Sequence, residues 1–369
     1  MSIVKRIAKI VGIVLFACVL VLGGYIAYMQ GTYYRIADHE KLTVSNDQAP
    51  TMRVGKEYVA TSYNIGFGAY TPDYTFFMDT GVMEDGTPTQ GSHGIAVSRE
   101  SVEDCTSGAI DVITAIAPDF ALFQEVDTDS TRSYQVNQEA RIESAFPGYG
   151  RVYASNFHSA FLAYPWPEMH GIVNSGLLTL SGVHVESSER RSYPVDDSFI
   201  TKFFDLDRCF TVERIPVENG KELVLMNSHM SAYDEGGLIR AQQLKMLQGV
   251  LSEEYAQGNY VIAGGDWNHA LCGSVTLYPS KQQVPDWASV LGADDLPDGF
   301  RVVRADNLGS VATCRGADIP YEPGVTYVTT IDGFIVSDNV AAHAQNIDTG
   351  YANSDHNPVK LTFSLKAAS

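Results

Sequence analysis

The chain has 369 residues, 44 of them acidic and 25 basic, for a net charge of −19. Three of the basic side chains and none of the acidic ones fall within the first thirty residues, so the remainder carries a net charge of −22. A surface so acidic repels polyanions, and no Lys/Arg cluster is present to neutralise phosphates along a duplex, so long duplex nucleic acid is a disfavoured partner.

Lys5, Arg6 and Lys9 precede an uncharged apolar run from Ile10 to Met29. As a helix rising about 1.5 Å per residue, that run covers roughly 30 Å, the thickness of a bilayer core. It is longer than the apolar core of a signal peptide, and GGYIAYMQG contains no small-x-small cleavage site. An uncleaved anchor is therefore expected in preference to a removed signal peptide. Leu15-Phe16-Ala17-Cys18 resembles a lipoprotein box only faintly, because the apolar run continues past Cys18. The basic residues put 1–9 in the cytoplasm and 10–29 in the membrane, with the rest of the chain extracytoplasmic. Residues 30–56 read as a stalk and 57–369 as one large domain, with no internal repeat.

Eight segments of that domain are short, apolar and often β-branched, and are predicted as strands. They are Tyr58 to Ile65, Phe120 to Phe123, Gly176 to Ser181, Phe210 to Ile215, Glu222 to Ser228, Tyr260 to Ala263, Thr329 to Val336 and Val359 to Phe363. Val97 to Ile116 is predicted as a helix closed by Ala-Pro-Asp, and Leu238 to Tyr255 as a second, with Leu244, Leu247, Val250 and Leu251 at helical spacing. Many strands with interspersed helices imply sheets packed together and covered by helices. Beyond the anchor lie Cys105, Cys209, Cys272 and Cys314. They lack the C-x-x-C spacing of a thiolate zinc site, and they allow three disulfide pairings that the sequence does not rank.

Several predicted strands end in residues that bind hard cations or move protons. YVATSYNIG brings Asn64, FALFQEVD brings Glu125, and LVLMNSHMS brings Asn227 and His229. VIAGGDWNHA brings Asp266 and Asn268, TTIDGFIVSD brings Asp332, and NSDHNPVKL brings Asp355 and His356. Singly, each is an ordinary turn former, helix cap or satisfied polar group; their ordered recurrence points to a site. Carboxylate and amide oxygens suit Mg²⁺, Mn²⁺ or Ca²⁺, and two histidines suit charge and proton handling at a phosphoryl group. Period-two geometry sends Asp266 and Asn268 to one side, and Trp267 and His269 to the other.

These motifs, SYN at 62–64, QEVD at 124–127, NSH at 227–229, GDWN at 265–268, IDGFIVSD at 331–338 and SDH at 354–356, resemble those of the endonuclease/exonuclease/phosphatase superfamily. Arg240 and Gln243 add to the likeness, which covers roughly residues 57 to 365. The resemblance implies a catalytic domain that is a four-layer α/β/β/α sandwich of two mainly antiparallel sheets, here preceded by one transmembrane helix. It implies Glu125 as principal metal ligand with Asn64 and either Asp332 or Asp355, and Asp266 activating water held by Asn268. It further implies His229 and His356 on the phosphate, with Asp355 polarising His356.

The expected activity is divalent-metal-dependent hydrolysis of a phosphodiester or phosphomonoester, on a phospholipid head group or nucleotide within reach of the membrane. A deoxyribonuclease-type endonuclease is the alternative, and a non-catalytic surface module on the same scaffold a further one. The sixty residues between Asn64 and Glu125 exceed the family's usual spacing. The extra segment, with Tyr70, Tyr74, Phe76 and Phe77, reads either as a lid or as a loop folded back on the body.

Overall fold

The computed structural model describes residues 3–45, 50–232 and 237–367. Residues 1 and 2 of the expected cytoplasmic terminus and 46–49 of the expected stalk lie outside the described residues. The apolar N-terminal run is one helix, α1 (Ile3–Thr32), whose most apolar stretch is wholly exposed.

Two sheets face each other. One has six strands in the order Val340–Asn346, Val359–Leu365, Glu57–Asn64, Phe120–Asp127, Asn174–Ser181 and Gly150–His158. The other has seven, in the order Glu40–Leu42, Ser187–Ser192, Cys209–Pro216, Glu222–His229, Tyr260–Asp266, Asp332–Ser337 and Phe300–Val302. Most pairings are antiparallel; Glu57–Asn64 runs parallel to Phe120–Asp127, and Glu222–His229 parallel to Tyr260–Asp266.

Strand alternation builds the layers. Tyr58, Ala60, Phe120 and Leu122 from one sheet meet Leu223, Leu225, Ile262 and Phe334 from the other in the central core. The alternate residues Val224, Met226, Val261 and Ala263 turn outward under helix α4 (Leu238–Ala256), which contributes Leu244, Leu247, Val250 and Leu251. On the opposite outer face, Tyr63, Ala121 and Phe123 lie under α2 (Arg99–Ile116) and α3 (Gln138–Ala145) through Ala109, Ile113 and Ile142. Each such side chain contributes about 1.5–3 kcal/mol on burial. The result is the four-layer α/β/β/α sandwich expected from the sequence.

Residues of the expected stalk run along the domain. Glu40–Leu42 pairs with Ser187–Ser192, Ser45 bridges to Arg151, and Met52 is fully buried. All five cysteines are free.

The same alternation carries polar residues into the space between the sheets near their ends. Gln124 Nε2 donates to Asn227 Oδ1 across the sheets at 2.7 Å, and Asn227 Nδ2 donates to the Phe123 carbonyl at 3.2 Å. Asn227 thus joins the sheets beneath the site and is occupied there.

Candidate active site

The parallel pairing aligns His229 with Asp266, and the antiparallel pairing aligns Asp266 with Asp332, so three adjacent strands present three polar side chains at one level. Gly265 permits this close approach, because a Cβ there would lie 1.9 Å from the Ser228 carbonyl oxygen. The opposite sheet supplies Asn64 at the end of its strand. Glu125 arrives by a different device. Regular alternation would turn it away from Gln124, toward the helices, but the strand bulges between Phe123 and Val126 and Glu125 adopts φ +54°. A bulged residue in the left-handed region re-aims its side chain at a local conformational cost. The Glu125 carboxylate consequently lines the same cavity as Asp266, His229, Asp355 and His356.

Asn64 connects the two halves. Its Nδ2 lies 3.0 Å from Asp266 Oδ2, 3.2 Å from Glu125 Oε1 and 3.5 Å from His356 Nε2. Its Oδ1 accepts from the Gly66 N–H at 3.0 Å. Asn64 offers the cluster its amide N–H, while its Oδ1, the oxygen expected from the sequence as a metal ligand, accepts one bond from the turn and keeps a second lone pair. Asp266 Oδ1 accepts from the Asn268 N–H at 2.9 Å, while Asn268 Nδ2 is held by the Met230 carbonyl at 2.8 Å. Trp267 points the other way, fully buried, with Nε1 donating to the Gly333 carbonyl at 3.0 Å. His269 bonds the Trp267 carbonyl at 2.6 Å.

The carboxylate partner of His356 differs from the expectation. Asp332 Oδ2 lies 2.8 Å from His356 Nδ1, whereas Asp355 Oδ1 lies 3.3 Å from Ser354 Oγ. Asp332 reaches His356 from the facing end of its own strand. Burial pulls the His356 pKa down, but the surrounding acidic groups, Asp332 foremost with Asp355 and Asp266, together outweigh it and hold this imidazole well above its usual value. His229 is the reverse case: burial, reinforced by the Arg208 charge, holds it well below and neutral. Its Nε2 stands 3.5 Å from Asp266 Oδ2, and His356 Nε2 stands 3.7 Å from the same oxygen. Two histidines with opposite tendencies thus flank one carboxylate.

Burial pushes Asp266 up to about 6, with the Asp332 carboxylate adding to the rise against the pull of His356. Asp355 is likewise pushed up to about 6 by burial, with the Glu125 carboxylate adding to it. Asp332 Oδ1 is buried without a hydrogen-bond partner. Asp266, Asp332 and His356 bring one ligand atom each within 4.8 Å of one another, a spacing that can hold a metal ion. Asp332 Oδ2 and His356 Nδ1 also bond each other, so the trio can handle a proton as well as a cation. Glu125 and Asp355 line the same cavity and add carboxylates suited to a hard dication.

Sequence reasoning missed several residues of the site. Arg132 pairs with Asp127 at 2.8 Å and lies 4.0 Å above the Phe67 ring; Arg208, Arg315, His170 and Trp287 line the cavity. No short motif marks them: Arg132 sits in a single helical turn, Arg315 in a two-residue strand, and the others in irregular segments. Arg240 and Gln243 brace the loop after His229, Arg240 through the Ala232 and Trp287 carbonyls and Gln243 through the Ser231 N–H and the Pro194 carbonyl. The long segment after Asn64 folds back on the body and also walls the cavity. Phe67, Tyr70, Tyr74 and Phe76 are buried together, and Tyr70, Phe76 and Phe77 face the cavity, whose volume is about 530 Å³.

The architecture matches solved structures. An endonuclease/exonuclease/phosphatase from Beutenbergia cavernae DSM 12333 is 19% identical, with a TM-score of 0.53 over 85% of this chain and 72% of that one. The chain shares the fold of that protein. TDP2 from C. elegans is 15% identical, with a TM-score of 0.52 over 84% of this chain and 76% of that one. ANGEL2, described as a 2',3'-cyclic phosphatase and solved with adenosine-2',3'-vanadate, is 14% identical, with a TM-score of 0.53 over 90% and 100%. No family model and no curated protein matches the sequence.

Proposed function

We propose that the chain is a divalent-metal-dependent phosphoesterase that hydrolyses its substrate by in-line attack of water. The observation that carries this reading is the convergence of Glu125, Asp266 and His356 within 3.5 Å of the Asn64 amide nitrogen, from strands of both sheets and the loop before Val359–Leu365. Solved proteins of the same fold include one described as a phosphatase acting on a cyclic phosphate.

Asp266 Oδ2 accepts the proton of the attacking water, and the Asn268 N–H on Oδ1 and the Asn64 amide on Oδ2 hold the carboxylate in place. His356, kept cationic by Asp332, donates from Nε2 to a phosphoryl oxygen; His229, kept neutral, donates or accepts beside it. Both stabilise charge that builds in the pentacovalent transition state. Glu125 and Asp355 would hold the cation, which supplies Lewis-acid stabilisation of the phosphoryl oxygens when bound.

The domain boundaries follow the same proposal: residues 1–9 cytoplasmic, 10–29 spanning, 30–56 linking, and 57–369 catalytic on the outer side of the membrane. A retained anchor is supported by the fit of the last turn of α1 to the domain, where Met29 is buried and Tyr25 and Tyr28 hydrogen-bond the backbone of 161–163. A discarded signal peptide needs no such complementarity.

The test compares initial rates on glycerophosphodiesters, sphingomyelin, inositol phosphates and plasmid DNA, each with Mg²⁺ and with chelator. Chelator-sensitive cleavage of at least one ester is expected. Preferential cleavage of the plasmid would move the assignment to a nuclease, and metal-independent or absent cleavage of all four would remove it.

A further inference from the structure

The cavity does not end at the polar cluster. Phe157 and Leu162, which line it, belong to the same apolar cluster as Met29 of α1, and Leu206, another lining residue, packs against that cluster. One wall of the site is therefore continuous with the end of the anchor.

The depth of this contact can be read from α1. Tyr25 Oη donates to the Phe161 carbonyl at 3.0 Å and accepts from the Ala163 N–H at 3.2 Å. Tyr25 lies four residues, about 6 Å of helix, inside the last apolar residue of the run, Met29. The loop at 161–163 thus sits at the level where hydrocarbon meets head groups. Around it the molecule leaves Tyr164, Trp166, Phe199, Ile200 and Phe204 exposed, Trp166 at 78% and Ile200 at 71%. Isolated exposed apolar residues need no explanation, but an aromatic-rich rim beside a membrane anchor is the composition of an interfacial belt. Tyr164 and Phe204 are both exposed and cavity-lining, so the mouth opens within this rim. Deeper in the same lining, Arg208 is buried with Nε and Nη1 unpartnered among the described residues, a guanidinium suited to an anionic head group.

We propose that the substrate is a membrane-resident amphiphile: a phosphoester head bound at the carboxylate and histidine cluster, with its apolar chain lying along the Phe157–Leu162–Leu206 wall toward the outer leaflet. This rests on the phosphoesterase reading above and adds the substrate class and its route.

The full-length protein in phosphatidylcholine nanodiscs would be assayed on methyl p-nitrophenyl phosphate and hexadecyl p-nitrophenyl phosphate, which share the reacting head. The long-chain ester should show kcat/KM at least about tenfold higher. The double substitution W166E/I200E, at exposed positions that line neither cavity nor cluster, should lower the long-chain rate about tenfold and leave the methyl ester rate unchanged. Equal kcat/KM on both esters, with the double variant at wild-type rates, would overturn the amphiphile assignment while keeping the phosphoesterase. Calorimetry with hexadecyl phosphate and inorganic phosphate, using empty nanodiscs as blank, separates the other case. Tighter binding of hexadecyl phosphate without cleavage of either ester would retain the amphiphile site and remove the phosphoesterase. Equal or absent binding together with no cleavage would remove both.

Discussion

The sequence reading expects Asp355 beside His356 and Asp332 on the cation, and the structure instead places Asp332 against His356 and Asp355 beside Ser354. Asp332 reaches Nδ1 at 2.8 Å, and its identity is fixed by the antiparallel register with Asp266. An Asp332→Asn variant keeps the shape and loses the charge, so the His356 pKa should fall toward or below its ordinary value and kcat should drop by about a hundredfold or more. NMR titration of His356 reads the first effect independently of turnover. Asp266→Asn should abolish turnover with the thermal transition unchanged, and parental activity in that variant would refute its role as proton acceptor. Glu125→Gln should raise the metal concentration needed for half-maximal rate, with partial rescue by excess Mg²⁺ or Mn²⁺. At this scale the sequence disclosed which residues meet, because a strand end is a legible address. It did not disclose the Asp332–His356 bond, the orientation of the Asn64 amide or the inward turn of Glu125, since these depend on register, on one turn and on one bulge.

Strands and helices with strong periodicity were legible to within a few residues. Leu238 to Tyr255 is α4, and Glu222 to Ser228 extends by one residue to His229. The strand Ser187–Ser192, SSERRS, has no apolar residue to announce it and exists because partners hydrogen-bond it on both sides. Gly150–His158 and Val340–Asn346 were missed for a related reason, as sheet-edge strands with polar or small outer positions. Within Cys209–Pro216, alternation turns Glu213 into the space between the sheets, with Ser188 Oγ donating to Oε1 at 3.3 Å and Oε2 unpartnered. Burial pushes this carboxyl up to about 7, from 4.5. Because the folded state favours the protonated form, stability is full below about pH 4.5 and declines as pH rises through about 7, by roughly 3 kcal/mol in total. Urea unfolding at about pH 5 and about pH 8 should show that loss, and Glu213→Gln should reduce it, leaving the smaller decline from Asp266 and Asp355. Gly265→Ala, which would force a Cβ against the Ser228 carbonyl, should cost roughly 2–4 kcal/mol and lower the melting temperature.

At the scale of the whole molecule, α1 is more than a tether, because Tyr25, Tyr28 and Met29 contact the domain. A protein beginning at residue 31 should partition into the soluble fraction and, having lost the cover over Phe157 and Leu162, bind the dye ANS more strongly than the full-length form. No dye difference would mean that the contact is incidental. The two sheets divide the reactive groups between them, with Asn64 and Glu125 on one and His229, Asp266 and Asp332 on the other. In the proposed mechanism the proton acceptor Asp266 and the cation ligand Glu125 therefore stand on separate layers, which the Gln124–Asn227 amide pair bridges beneath the site. Leucine at position 227 would leave each sheet hydrogen-bonded to itself yet release that spacing. The protein would then keep its melting temperature far better than the rate proposed for it, failing through lost alignment between two intact halves.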